Sequence, residues 1–196
     1  MNVDYWRHYL RGRLFETLRR PDAAIAAYRL ARACDPKGTR VLHVLAVLLA
    51  TRKRYDEAER LFREALQINP NNDAAWFNLG FMYDEQKRFP EAIEAFRQTV
   101  RINPVIDRAW YGLGLALATL GDHAEACTAL QKAAELQPMN GFAWYHLGMA
   151  HHTLGNTAKV AEVAKHLNRF DRKLARQLIR DSDRKDLLPM VADLRI

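Results

Sequence analysis

The sequence predicts an all-α solenoid of antiparallel helix pairs, closed by a C-terminal capping helix. Three observations predict it. Prolines fall at Pro36, Pro70, Pro104 and Pro138, each 34 residues after the last. At that period the chain resolves into columns of like residues, and periods of this length are the mark of stacked supersecondary units. Within each unit, apolar residues recur at helical three- and four-residue spacing on either side of a short polar turn.

The columns justify the elements in order. One reads His8, Leu42, Trp76, Trp110, Trp144, and another reads Arg11, Leu45, Leu79, Leu113, Leu147. A small-residue column follows: Gly12, Ala46, Gly80, Gly114, Gly148. These residues belong to the first helix of each unit. Two helices approach closely only where a side chain is nearly absent, and large neighbours then fill the space beside the contact. A polar turn such as Lys87-Arg88 or Gly121-Asp122 ends that helix. The second helix carries Ala24, Ala58, Ala92 and Ala126, then Tyr28, Phe62, Phe96 and Leu130, then Ala31, Ala65, Thr99 and Ala133. Asn69-Pro70 and Asn103-Pro104 stop it, because proline cannot continue a helix and disfavours helix at the residue before it. The resulting boundaries are 5–38 for an atypical first unit, then 39–72, 73–106 and 107–140. A degenerate fifth unit spans 141–170, and a capping helix with an apolar tail spans 171–196. In the cap, Leu174, Leu178 and Ile179 should cover the last unit while Arg172, Lys173, Arg176 and Arg180 face water, as terminal units of repeat arrays require.

The pattern Trp76-x-x-Leu79-Gly80-x-x-Tyr83, Ala92-x-x-x-Phe96, Pro104 resembles the tetratricopeptide repeat (TPR) family. The second and fourth units fit with conservative swaps. The first has polar His8 and Arg11 at core columns, and the fifth departs at His151, Val160 and Ala164. The resemblance covers roughly residues 5 to 174. It implies a right-handed superhelix whose concave face is lined by the first helix of each pair and holds partner segments. It implies a non-catalytic protein–protein interaction scaffold or adaptor.

Carried onto this chain, the concave columns are Tyr9, His43, Phe77, Tyr111, Tyr145; then Leu10, Val44, Asn78, Gly112, His146; then Arg13, Val47, Phe81, Leu115, Met149. The groove should be apolar and aromatic in the middle, with Asn78 as its main amide and Arg40 and Arg108 at its margin. That suits a protein or peptide with apolar anchors, an amphipathic helix or an extended segment. Phe81, Tyr111 and Tyr145 are the expected hot spots. Chaperone-binding members of the family grip a terminal carboxylate with Lys, Asn and Arg donors. Only Asn78 and Arg108 match that set, and His43, Val47 and Gly112 stand where other donors are needed, so no carboxylate clamp is expected.

Composition narrows the rest. With 196 residues, 49% apolar and 27% charged, the chain is well cored, and two cysteines exclude a disulfide scaffold. No signal peptide or membrane span is visible, so a cytoplasmic protein is expected, and 22 arginines against eight lysines suggest a GC-rich bacterial genome. The net charge of +7 raises nucleic acid, an anionic membrane and acidic proteins as candidate partners. Counted in 34-residue blocks from Asp4 it divides as +4, +2, −1, −2 and +3, with +1 in the tail. Arg19, Arg20, Arg52, Lys53, Arg54, Lys87 and Arg88 should form a basic ridge at the inter-helix turns, which an acidic protein, nucleic acid or anionic surface could use. Nucleic acid is disfavoured because no basic region interleaves aromatics. A regulator binding nucleic acid or an anionic surface, and an accessory subunit of a larger enzyme or secretion complex, are the alternatives.

No catalytic group, cofactor or metal site is expected. His146 and His152 are poorly spaced for one metal and no cysteine pair assists them. Cys34 falls in a core column, and Cys127 has no expected activating partner. The apolar stretch from Leu187 to Ile196 either enters a neighbouring copy's groove, giving a homo-oligomer, or folds back on its own cap.

Overall fold

A computed structural model describes residues 3–192. Among the described residues it contains twelve α-helices and one short 3₁₀ turn, and no strand. Paired helices are α1 (Val3–Thr17) with α2 (Pro21–Cys34), α3 (Thr39–Thr51) with α4 (Tyr55–Ile68), and α5 (Asp73–Glu85) followed by α6 (Phe89–Ile102). Then come α7 (Asp107–Thr119) with α8 (His123–Leu136), α9 (Gly141–Thr153) with α10 (Thr157–Asn168), and the cap α11 (Arg172–Asp181). The described residues end in a 3₁₀ turn (Lys185–Leu187) and α12 (Leu188–Ala192). From α3 onward the first helices start at 39, 73, 107 and 141, and the second helices at 55, 89, 123 and 157, both at the proline period.

The stops follow from proline. Asp35, Asn69, Asn103 and Gln137 each precede a proline, and each leaves the helix with φ between −130° and −142°. The starts use short polar side chains. Asn72, Asp122, Asn140 and Asp171 accept from the backbone N–H three residues on.

The fold divides into two compact parts, residues 1–82 and 83–196. In the first, α1 packs on α2, α2 on α3 and α3 on α4. Ala24, Tyr28, Ala31, Ala58, Phe62 and Ala65 are completely buried, as are Leu42 and Ala46. A Cβ on Gly12 would lie 2.5 Å from the Tyr28 ring, so glycine is what lets α1 meet α2. The outer side of α1 is polar at the columns that elsewhere are core: Arg11 is exposed and lies over Phe15.

In the second part, α7 packs on α6, α8 and α9, and α9 on α10 and the cap. Thr99 is wholly buried and its hydroxyl donates to Ala95 O at 2.9 Å. The indoles show a feature that the columns hinted at only by spacing. Trp110 and Trp144 donate Nε1–H to Pro104 O and Pro138 O at 2.8 and 2.9 Å, and in the first part Trp76 donates to Pro70 O at 2.9 Å. The proline that ends one unit thus offers its carbonyl to the tryptophan six residues later, which anchors the start of the next.

The cap behaves as expected. Leu174, Ala175, Leu178 and Ile179 are buried, while Arg172, Lys173, Arg176 and Arg180 are exposed. The described tail turns back on the cap. Val191 is 2% exposed in the same cluster as Leu174, Leu178 and Ile179, and Leu187 and Met190 pack against it. Asn168 donates to Met190 O, and Arg176 donates twice to Val191 O, at 2.8 and 3.1 Å. Leu194 and Ile196 lie outside the described residues.

Candidate functional site

The concave-column residues are described within each part. In residues 1–82, neighbouring first helices meet through side chains. Arg40 on α3 places its guanidinium 5.5 Å from the Trp6 ring of α1. Tyr9 stacks on Tyr5 at 5.8 Å and tilts against Tyr28. His43 sets its ring against Phe62, and its Nε2 lies 3.4 Å from Asn78 Nδ2 on α5. Asn78 Nδ2 also donates to Ala74 O at 2.7 Å. With His43 Nε2 as the acceptor, both amide hydrogens of Asn78 are engaged, and its Oδ1 accepts no hydrogen bond among the described residues. Val47 and Phe77 are half-buried, and Phe81 is 54% exposed, the most open aromatic of the set. Burial lowers the His43 pKa, which keeps the ring neutral.

In residues 83–196, Tyr111 meets His146 edge-on at 5.9 Å and His146 meets Tyr145 at 5.1 Å. Burial lowers the His146 pKa and raises that of Tyr111. Leu115 and Met149 are half-buried, and Arg108 is exposed. Tyr145 departs from the free hot spot that the sequence suggests. Its hydroxyl donates to Asp181 Oδ2 at 2.6 Å, so the ring braces α9 against the cap. Burial, and next the Asp181 hydrogen bond, raise its pKa. The sequence reading also passed over Phe142, which is 61% exposed at the column of Arg40, Ala74 and Arg108. The 34-residue register alone would have found it.

The basic ridge is less bare than its sequence. Arg54 donates to Glu57 at 2.7 Å and Arg88 to Glu91 at 2.9 Å, each three residues into the following helix. Arg88 also lies 4.4 Å from the Tyr83 ring, Arg20 lies over Phe15, and Arg52 is 3.9 Å from Asp22. Arg19, Lys53 and Lys87 hold positive φ of 54°, 58° and 60°. They occupy the left-handed turn position that Gly121 and Gly155 fill in later units, with φ of 88° and 73°.

Cys127 has a neighbour that its column did not suggest. Its Sγ lies 3.5 Å from His151 Nδ1, a partner that the sequence reading did not give it. The pair sits 24 residues apart on α8 and α9, off the repeat period. It does not activate the thiol, because burial raises the Cys127 pKa and lowers that of His151. Cys34 is half-buried rather than fully enclosed. Among the described residues, no three His, Cys, Asp or Glu side chains are grouped to hold a metal ion. No described helix is long and apolar enough to cross a membrane.

Models of the tetratricopeptide repeat match residues 8–39, 49–116 and 107–140. The chain belongs to the tetratricopeptide repeat family. No protein of curated function matches this TPR sequence. Solved structures are similar to it along most of its length. A MamA crystal structure is 20% identical, with all of this chain and 99% of that one covered, at a TM-score of 0.76. YrrB, described as a TPR protein with an unusual peptide-binding site, is 20% identical over 88% of this chain and 90% of its own, also at 0.76. PilF of Pseudomonas aeruginosa is 18% identical over 97% and 93%, at 0.71. At these identities the likeness is one of fold: an all-α array of TPR helix pairs.

Proposed function

We propose that this TPR protein is a non-catalytic binding module that takes an apolar-anchored peptide segment on the first-helix face of residues 1–82. The observation that carries the reading is the pairing of Phe81 with Asn78. An aromatic ring more than half exposed stands one helical turn from an amide whose donors are engaged and whose Oδ1 is open. Such an amide accepts a peptide N–H and leaves a carboxylate unserved, so the ligand is an internal or extended segment rather than a chain end. Half-buried Val44, Val47 and Leu48 on α3 supply apolar surface beside it. The face is already built, with His43 holding Asn78 and Trp6 holding Arg40, which limits the ordering cost of binding. The peptide-binding description of the similarly folded YrrB agrees with this reading.

The test compares two sets of substitutions against an immobilised library of extended peptides. Phe81→Ala and Asn78→Ala should each weaken the selected peptides about tenfold or more, in line with interface hot spots. Arg52→Glu, Lys53→Glu and Arg54→Glu together should change affinity far less. If the charge reversals abolish binding and the groove variants do not, the ridge is the binding surface and the groove reading fails.

Self-association is the second version of the reading. Because Val191 and Met190 are held on the chain's own cap, a tail-exchanged oligomer would first have to release them. Light scattering of the chain with and without 186–196 distinguishes the two: a mass above one chain that falls on deletion supports tail exchange.

A further inference from the structure

On the outer face of α1, exposure departs from the repeat register. Ala109, Leu113 and Ala116 on α7, and Ala143, Leu147 and Ala150 on α9, are 0–3% exposed. The second helix of the unit before packs there: α6 on α7, and α8 on α9, with Ala143 in one buried cluster with Ala133 and Ala134 of α8. At the same register positions α1 carries Arg7, Arg11 and Leu14, and all three are exposed. Leu10 and Leu14 are 60% and 56% exposed. Leu18, 57% exposed, continues their four-residue spacing, and its N–H donates to Leu14 O at 3.0 Å. At ~100° per residue these five side chains fall within about 100° of the helix, on the side away from Gly12 and its contact with Tyr28. That is the width of the core-facing stripe of an amphipathic helix. Arg7 pairs with Asp4 at 3.0 Å, whereas Arg11 lies over the Phe15 ring and meets no carboxylate among the described residues.

We propose that this face docks an acidic amphipathic helix of another protein, laid antiparallel to α1 in the place that a preceding second helix would take. The repeat supplies the geometry. Each second helix runs antiparallel to the first helix that follows it across a short turn, so the bare face of α1 has the shape that a helix fills elsewhere in the chain. The side chains supply the chemistry. Arg7 stands where α7 and α9 carry alanine, and Arg11 where they carry leucine, which holds an incoming helix further out than α8 sits on α9. Long side chains bridge that spacing: leucines over Leu10 and Leu14, and a carboxylate reaching the Arg11 guanidinium. A second copy of this chain fits poorly. Its last second helix, α10, is covered by α11, and that cap is itself cationic. Arg7, Arg11 and Leu14 lie outside the concave columns, and the proposal does not depend on Phe81 or Asn78.

The test uses the full chain and a fluorescein-labelled peptide of about three heptads, with leucine at a and d and glutamate at e and g, read by anisotropy. Repulsion between its glutamates keeps the peptide from pairing with itself. Leu10→Ser combined with Leu14→Ser should weaken binding about tenfold or more, and Arg11→Glu should weaken it several-fold. A peptide with lysine at e and g should bind the parent weakly, and should bind the Arg11→Glu chain more tightly than the glutamate peptide does. Phe81→Ala should leave all of this unchanged, so failure of the groove and failure of this face are told apart. A nitroxide at the peptide's N-terminus should broaden the amide signals of Leu14 and Thr17 more than that of Arg7. The substituted residues are exposed, so circular dichroism melts matching the parent's keep the comparison fair. The proposal is overturned if the peptide does not bind at millimolar concentration, if the serine pair leaves binding unaltered, or if the charge exchange does not reverse the preference. Broadening in the opposite order overturns the antiparallel placement. A mass above one chain by light scattering that falls with the serine pair assigns the face to a second copy, and overturns the proposal too.

Discussion

A single methyl group placed on Gly148 tests how α9 meets the cap. The Cβ of Gly148→Ala would fall 2.6 and 2.8 Å from the two methyls of Leu178 and 3.2 Å from its Cγ. Leu178 is wholly buried in one cluster with Leu147, Ala175 and Ile179, so it can yield only by displacing packed neighbours. Overpacking of this kind costs about 1–3 kcal/mol. Against it stands a gain of ~1 kcal/mol from replacing glycine by alanine inside a helix. With three atoms in conflict the upper half of the range applies, and the net is a loss of about 1–2 kcal/mol. For a chain of this size that lowers the melting midpoint by about 2–8 °C. The decisive background is Leu178→Ala, which itself costs about 2–5 kcal/mol but removes all three clashing atoms. There Gly148→Ala should change sign and stabilise by ~1 kcal/mol, a coupling of about 2–3 kcal/mol. Urea unfolding followed by circular dichroism measures the totals, and hydrogen exchange at the cap amides from Leu174 to Ser182 localises them. If the alanine costs the same in both backgrounds, helix contact is not what the glycine column serves.

Two further outcomes follow from the turns and the buried rings. Lys53→Gly should stabilise the chain by about 0.5–1 kcal/mol in urea titration. Relief of a left-handed residue, ~1–2 kcal/mol, exceeds the added freedom of the unfolded glycine, ~0.4–1 kcal/mol. The reverse change Gly121→Lys should destabilise by a similar amount, since a Cβ there meets nothing within 4 Å and only backbone strain acts. His43 and His146 both have pKa values lowered by burial. The unfolded chain therefore binds protons that the folded chain refuses. Their contribution is fully present above the ordinary histidine value of about 6.5 and is lost as pH falls through the folded values. Melting midpoints at pH 7.5 and 5 should diverge less for His146→Phe than for the parent, and an identical divergence would refute the burial argument.

Most of the fold was legible because packing repeats its demands. Each helix pair needs a residue with almost no side chain beside a bulky one, so Gly12 beside Tyr28 and Gly114 beside Leu130 recur at one register. Each unit also needs a stop, which Pro36, Pro70, Pro104 and Pro138 supply. The left-handed turn was legible in principle as the column Arg19, Lys53, Lys87, Gly121, Gly155. The cations drew the reading toward charge instead of backbone geometry. Contacts off the period were not legible. Cys127 meets His151 across 24 residues and Tyr145 meets Asp181 across 36. These depend on side-chain reach across a helix junction, which no column encodes.

That difference in kind separates what packing fixes from what it leaves open. A core column is held by neighbours on every side: Tyr28, Phe62, Phe96 and Leu130 are all 0–1% exposed, and any change there is felt as a cavity or a clash. The column of Arg40, Ala74, Arg108 and Phe142 carries two cations, a methyl and an aromatic ring on the same backbone geometry. Arg40, Ala74, Arg108 and Phe142 are all exposed, so the scaffold tolerates each equally well. Phe142 stands at the register position where Arg40 and Arg108 carry charge, on the same helical geometry. The repeat thus separates two kinds of position physically. Buried columns set the geometry, and open columns at the same period leave the side chain's chemistry unconstrained by packing.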